Sequence, residues 1–283
     1  MGKAGYIYVS PLHKYTVRNR DQETAMDFYS VSNSIFTLIR TAITPLIGTP
    51  EAGVITGIGA DGTPTKYIDK VAEDIALSEL RKNGICNLLI SEEAGKVEMD
   101  GEKGTIFLDP VDGTYNAIMN IPFYAVSLAF AKEGILQEGF VGNLANGDLF
   151  TAKRGGGAFL NKKPLCVSDI SELQASAMSV YGKHFQYDRV INLIRKIRRF
   201  RQFGASALEL SYVGAGKIDG FVDLRQTLRA TDAAAGILIL EEAGGIVSDR
   251  DGNRLVLPDE VNIGNCLVGT NKCLHGKVIE YLR

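Results

Sequence analysis

The stretch Asp109-Pro110-Val111-Asp112-Gly113-Thr114-Tyr115-Asn116 decides how this chain is read. It follows Thr105-Ile106-Phe107-Leu108, a short apolar run with the character of a buried strand. Two carboxylates three residues apart therefore stand where a strand ends. Pro110 stiffens the backbone between them, and Gly113 permits a sharp turn. Thr114 is placed to open a helix. Carboxylates clustered at a strand end attract hard cations such as Mg²⁺, which take oxygen ligands. The free N–H groups of an adjoining helix start bind a phosphate. A metal site beside an anion site is the combination that phosphoryl chemistry needs.

Upstream, a second apolar run over residues 86–90 leads into Ser91-Glu92-Glu93, again a strand ending in acids, and Glu92 is positioned to reach the same metal. Farther back, the Gly-rich segment Gly62-Thr63-Pro64-Thr65-Lys66-Tyr67-Ile68-Asp69 runs into a helix that carries an acid. That helix is marked over 67–81 by Ile68, Val71, Ile75 and Leu80. Residues 53–64, with four glycines and the turn pair Asp61-Gly62, read as a loop or hairpin. An earlier helix begins at Asp21, with Phe28, Val31, Ile35, Leu38 and Ala42 on one face, and ends before Pro45. Residues 1–20 have no clear period. They read as an arm that packs on a dimer partner, with a β-prone run at Tyr6-Ile7-Tyr8-Val9.

Downstream, residues 125–131, 136–144 and 148–152 read as hairpin strands, and Asn146-Gly147 is a turn signal. The character changes near 164–168. This divides the chain into an extension (1–20), an α+β metal-binding half (21–165) and an α/β half (166–283). The second half alternates: strand 177–181, helix 188–199, strand 201–203, helix 205–213, strand 220–224, helix 232–243, strands 246–248 and 266–269, closing helix 275–282. Such alternation implies an α/β layer. In Ala230-Thr231-Asp232-Ala233-Ala234-Ala235-Gly236, Thr231 can cap a helix, Asp232 lies in its first turn, and the small residues allow close packing.

Composition sets the outer bounds. A chain of 283 residues, 45% hydrophobic and 23% charged, is an ordinary globular protein of one large domain or two fused halves. A net charge of −2 gives no whole-molecule attraction to nucleic acid or to an anionic membrane. No apolar run is long enough to span a bilayer, and the first residues lack a secretory pattern, so a cytoplasmic protein is expected. Cys86, Cys166, Cys266 and Cys273 form no CxxC pair and are read as reduced and partly buried. His13, His184 and His275 are isolated, which weakens a zinc site.

Taken together, the four acidic elements resemble the lithium-sensitive, magnesium-dependent sugar phosphatase superfamily of inositol monophosphatase and fructose-1,6-bisphosphatase. Asp109–Asn116 is similar to its DPxDGTxN signature, Glu92-Glu93 to its upstream acidic pair, and Asp232–Gly236 to its downstream D-x-A-A-G element. The likeness extends over residues 21–283, and 57–69 looks most like the archaeal dual-activity type. It implies a layered α/β/α/β/α sandwich with the active site between the halves, and a homodimer. It also implies roles. Glu92, Asp109 and the Val111 carbonyl hold one Mg²⁺; Asp109, Asp112 and Asp232 hold a second. Asp69 and Thr114 orient and deprotonate the attacking water, with a third, weaker ion between Asp69 and Glu92. The N–H groups of Gly113 and Thr114 cradle the phosphate. The Arg201-Gln202-Phe203-Gly204-Ala205-Ser206 stretch resembles a family segment whose backbone, near Gly204, Ala205 and Ser206, approaches the substrate, with Arg201 as a further contact. The implied activity is hydrolysis of a phosphate monoester on a small polyol or sugar, inositol 1-phosphate or fructose 1,6-bisphosphate. No nucleic acid or membrane partner is implied.

Departures from the pattern narrow the substrate. Arg225 stands where animal inositol monophosphatases carry an acid that grips the inositol ring; a cation there suits a second phosphate or another hydroxyl pattern. Thr231 replaces a common Trp. Residues 195–201 carry five basic side chains in seven, a solvated helix face or a distal phosphate clamp. The alternatives are a 3′-phosphoadenosine 5′-phosphate phosphatase of the same fold, with Tyr181 or Phe185 stacking on adenine, and a non-catalytic regulatory homologue. The second is disfavoured because every implied metal ligand is present.

Overall fold

The computed structural model describes residues 6–8, 27–182, 187–258, 260, 261 and 263–283. Among the described residues the α-helices are α1 (Phe28–Ile43), α2 (Tyr67–Asn83), α3 (Thr114–Ile118), α4 (Tyr187–Ile194), α5 (Ser206–Gly214), α6 (Ala230–Glu242) and α7 (His275–Leu282). Asp27 starts α1, its carboxylate accepting the Ser30 N–H at 2.8 Å. The expected earlier start, at Asp21, falls outside the described residues.

A ten-stranded sheet forms the centre of the molecule. Eight strands run in the order Lys163–Pro164, Gly157–Leu160, Leu149–Lys153, Ile135–Asn143, Ala125–Lys132, Thr105–Asp112, Leu88–Ser91, Gly95–Glu98. Neighbours are antiparallel except Leu88–Ser91 against Thr105–Asp112, which run parallel. Tyr6–Tyr8 and Val256–Pro258, antiparallel to each other, complete the sheet beside Ile135. Side chains alternate across it. Ile106 and Leu108 face α1 and α2, while Phe107 faces α5 and α6.

The second sheet has the order Arg199–Arg201, Ala177–Tyr181, Gly220–Leu228, Asn265–Thr270, Ile246–Ser248, the first three parallel. Its Phe221 and Leu267 join α5 and α6 in the inner core, and its Val222 and Val268 face α4 and α7. The order of layers is thus α1/α2, large sheet, α5/α6, smaller sheet, α4/α7. This is the expected α/β/α/β/α sandwich. In α6 every residue from Ala230 to Leu240 is buried, as a helix enclosed between two sheets must be.

Local boundaries differ from expectation in three places. The strand read as ending at Leu108 continues to Asp112. The helix read over 188–199 stops at Ile194, and the following strand is Arg199–Arg201. There the N–H groups of Arg198 and Arg199 both turn to the Ser176 carbonyl (2.9 and 3.0 Å), so sheet pairing overrides the helix propensity of the basic run. The basic run is therefore a turn and an edge strand rather than a helix face. Finally, α6 begins at Ala230, with Arg229 rather than Thr231 at its cap. All four cysteines are free; Cys86 is buried, but Cys166 is exposed.

Candidate active site

The continuation of the Thr105–Asp112 strand explains how two acids with odd spacing serve one site. In a regular strand, residues three apart point to opposite faces. Here Asp109 pairs with Ser127 and Asp112 with Ala125, so two residues, Pro110 and Val111, oppose Val126 alone. The bulge inserts one residue and turns both carboxylates to the same face. That face is the one covered by α5 and α6.

Glu92 follows the parallel neighbour strand, where its N–H donates to the Leu108 carbonyl at 3.2 Å. Its turn is held from below by the buried Glu73 carboxylate, which accepts from Ser91 Oγ and from the Ala94 N–H. Asp232 occupies the first turn of α6, accepting the Arg229 N–H at 3.0 Å. These elements bring oxygens of Glu92, Asp109 and Asp232 within 4.8 Å of one another. Asp112 lies beside them and caps α5. Its carboxylate accepts the N–H groups of Ser206 (2.8 Å), Ala207 (2.8 Å) and Leu208 (3.2 Å).

Gly113 is required where the chain leaves the strand. Its φ is +93°, and a Cβ there would lie 3.0 Å from the Phe123 carbonyl oxygen and 3.1 Å from Ala205 Cβ. Asn116 fastens the same junction, donating to the carbonyls of Phe123 (2.8 Å) and Phe203 (2.7 Å). Thr114 then opens α3. Its Oγ1 lies 2.8 Å from Asp69 Oδ1 and 3.0 Å from the Val111 carbonyl oxygen.

Burial and crowding shape the electrostatics. Loss of solvent pushes Asp69 up to about 8, against the Thr114 hydrogen bond and with help from Glu92 and Glu93. Glu92 is pushed up to about 7, first by burial, with Arg229 opposing and Asp232 adding to the rise. Asp109 and Asp112 are raised well above the carboxylate range by burial and by the neighbouring acids.

One open cavity of about 550 Å³ gathers most of the expected site residues. Glu92, Asp109, Val111, Asp112, Gly113, Thr114, Gly204, Ser206, Arg225 and Asp232 line it. Asp69 stands behind Thr114, and Ala205 is buried against Gly113. Arg225 is held by a two-point ion pair with Asp223 (Nε 3.1 Å, Nη2 2.6 Å) and lies 4.3 Å above the Tyr181 ring. Arg201 is placed elsewhere. It sits exposed on the edge strand, where its guanidinium donates to the Phe200 carbonyl, and it does not line the cavity. Phe185 lies outside the described residues.

Sequence reading missed Arg229. Its guanidinium enters the acidic cluster, meeting Glu92 at 2.6 Å, Asp232 at 2.9 Å and also Asp61 on the hairpin Ile55–Ile58/Pro64–Lys66. The available signal was its position three residues before Asp232, at a helix start.

The layered sandwich gathers a cluster of carboxylates that could hold a metal ion, and the comparisons give the class as phosphatase. The chain matches the inositol monophosphatase family model over residues 33–283. It belongs to that family and is a phosphatase. It is 44% identical over 261 residues to a fructose-1,6-bisphosphatase/inositol-1-monophosphatase of Methanothermobacter thermautotrophicus, covering 86% of this chain and 92% of that one. It is 37% identical over 278 residues to a bifunctional NADP phosphatase/NAD kinase of Methanococcus maripaludis; the match takes in 90% of this chain and about half (49%) of that protein. A Pyrococcus horikoshii crystal structure described as having similarities to inositol-1 monophosphatase superposes with a TM-score of 0.80, at 33% identity over 90% of this chain and 96% of that one.

Proposed function

We propose that the chain is a Mg²⁺-dependent phosphatase that hydrolyses a phosphate monoester of a small polyol or sugar, with water as nucleophile. The observation carrying this reading is the convergence of Glu92, Asp109 and Asp232 within 4.8 Å, next to the Gly113–Thr114 backbone. The donors are all oxygen, and burial beside neighbouring acids raises the proton affinity of Glu92 and Asp109, a concentration of negative charge that suits a small hard dication. Glu92, Asp109 and the Val111 carbonyl would hold one ion, and Asp109, Asp112 and Asp232 a second; a third would sit between Asp69 and Glu92. Bound there, Mg²⁺ supplies an acidified water and neutralises charge on the phosphoryl and leaving oxygens.

The remaining work belongs to the chain. The Thr114 hydroxyl carries one proton and touches two acceptors, so it links the cavity to Asp69. Burial pushes Asp69 up to about 8; a cation between it and Glu92 would favour the ionised form, which accepts a proton through Thr114. The N–H groups of Gly113 and Thr114 orient the phosphate. Arg225, fixed by Asp223 and Tyr181, offers its charge to the far end of the substrate. Because Arg225 already covers the Tyr181 ring, adenine stacking on that ring is disfavoured.

Phosphate release measured with Mg²⁺ and with EDTA tests the reading. The substrates are inositol 1-phosphate, fructose 1,6-bisphosphate, NADP and 3′-phosphoadenosine 5′-phosphate. Mg²⁺-dependent turnover of the first two supports it. Turnover of the nucleotides alone would keep the metal chemistry and replace the substrate class. Asp109→Asn should lower turnover by roughly a thousandfold or more with the fold intact, as loss of a group that holds the charge-stabilising ion does; near-normal turnover in a folded Asp109→Asn variant would remove the metal assignment.

A further inference from the structure

We propose that Arg229 is a built-in counter-cation: it holds the metal-binding carboxylates and the Asp61 hairpin in place when no metal is bound, and it must leave those carboxylates for metal to enter. The proposal rests on the metal reading above. Its basis is one side chain engaged on three elements. The guanidinium contacts Glu92 at the end of Leu88–Ser91, Asp232 on α6 and Asp61 on the hairpin. Nε also reaches both Asp232 oxygens at 3.1 Å. A planar fork with five fixed donors bridges carboxylates in this way from several nitrogens, whereas an ammonium presents its donors from a single point.

The carboxylates that Arg229 engages are two of the three whose oxygens converge within 4.8 Å. Cation and guanidinium therefore compete for the same lone pairs. The competition also reaches the hairpin. Apart from Arg229, it is tied to the rest of the molecule near the site through Glu93: the Thr65 hydroxyl donates to the Glu93 carboxylate and the Ala60 N–H to its carbonyl at 3.0 Å. When metal displaces Arg229 from Glu92 and Asp232, the tether through Asp61 loses its anchor. The apparent metal affinity is then the intrinsic affinity reduced by the fraction of molecules with Arg229 out of the cluster.

Arg229→Gln removes the charge and keeps a polar, shorter side chain. Three measurements on the full chain test the proposal. In a calorimetric titration with Mg²⁺, R229Q should bind about tenfold more tightly than wild type, as expected if the arginine-in state dominates by about ten to one. In EDTA, R229Q should melt at a lower temperature, because its carboxylates face one another uncompensated. Also in EDTA, the amides of residues 59–63 should exchange faster with deuterium in R229Q. Wild-type binding of Mg²⁺ with no gain in R229Q overturns this proposal and leaves the metal reading standing. No Mg²⁺ binding by either protein overturns both. If R229Q cannot be obtained folded, Arg229→Met, which removes the charge and keeps an unbranched side chain, carries the test; R229M binding Mg²⁺ no more tightly than wild type overturns the proposal equally.

Discussion

Asp69 sits on the first turn of α2 with 4% of its surface exposed, and its one side-chain donor in the site is the Thr114 hydroxyl at 2.8 Å. Its carboxyl is pushed up to about 8, mainly by burial. In the unfolded chain it titrates near 4. Between those values the folded protein retains a proton that the unfolded one gives up, so this group's contribution to stability falls as pH rises from about 4 to about 8 and is level above that. In EDTA, the melting temperature of wild type should therefore decline from pH 5 to pH 8 more steeply than that of Asp69→Asn. Equal slopes would show that Asp69 titrates as an ordinary carboxylate. The sequence displayed Asp69 only as an acid following a Gly-rich loop. Its partner Thr114 lies 45 positions away, and the desolvation that sets its behaviour comes from burial that no local pattern encodes. Arg229 was hidden for the opposite reason. A cation one turn from an acid at a helix start reads as surface pairing, whereas here it is turned inward among three acids.

Individual elements were legible wherever a single period ran uninterrupted. The α2 and α7 faces follow from spacing because one buried face dictates the pattern, and the three hairpin strands, covered on both faces, from short apolar runs bounded by turns. The Thr105–Asp112 strand was read short because carboxylates do not look like strand residues; pairing with Ala125–Lys132 carries it on through the bulge. The bulge is invisible locally, yet it is what makes two acids three apart share a face. The tight contact between α5 and α6 was half visible in the run of alanines ending at Gly236. A Cβ at Gly236 would lie 2.7 Å from Leu210 Cβ and 2.9 Å from the Ala207 carbonyl oxygen. In an open helix Gly→Ala gains about 1 kcal/mol. Here overpacking of about 1–3 kcal/mol opposes it, so Gly236→Ala should lower the denaturant midpoint. Turnover should fall as well, since Asp112 caps α5 and Asp232 rides on α6. A midpoint unchanged or raised would mean that the two helices separate without cost.

Across the whole molecule, strand–helix alternation pointed to an α/β layer in the second half, and the full layer order came from the family resemblance. The ten-stranded extent of the large sheet could not be inferred, since Val256–Pro258 joins it through Tyr6–Tyr8, a pairing across nearly the full chain with no local signal. The site is likewise a property of the assembled layers. Glu92 and Asp109 come from the large sheet, Asp232 from the helix layer enclosed between the sheets, and the α5 cap over Asp112 from that same layer. A cation that needs both layers binds only the folded arrangement, so Mg²⁺ at a hundred times its dissociation constant should add about 2.7 kcal/mol of stability. For a chain of this length that is a rise of roughly 4–5 °C in melting temperature. The rise should be lost in Asp109→Asn, whose carboxylate serves both proposed ions, and only reduced in Asp232→Asn, since the ion held by Glu92, Asp109 and the Val111 carbonyl keeps its donors. Melting followed with and without Mg²⁺ in the three proteins checks this. An unreduced rise in Asp109→Asn would mean that its carboxylate is not shared between the ions, and that the carboxylates meet without forming one centre.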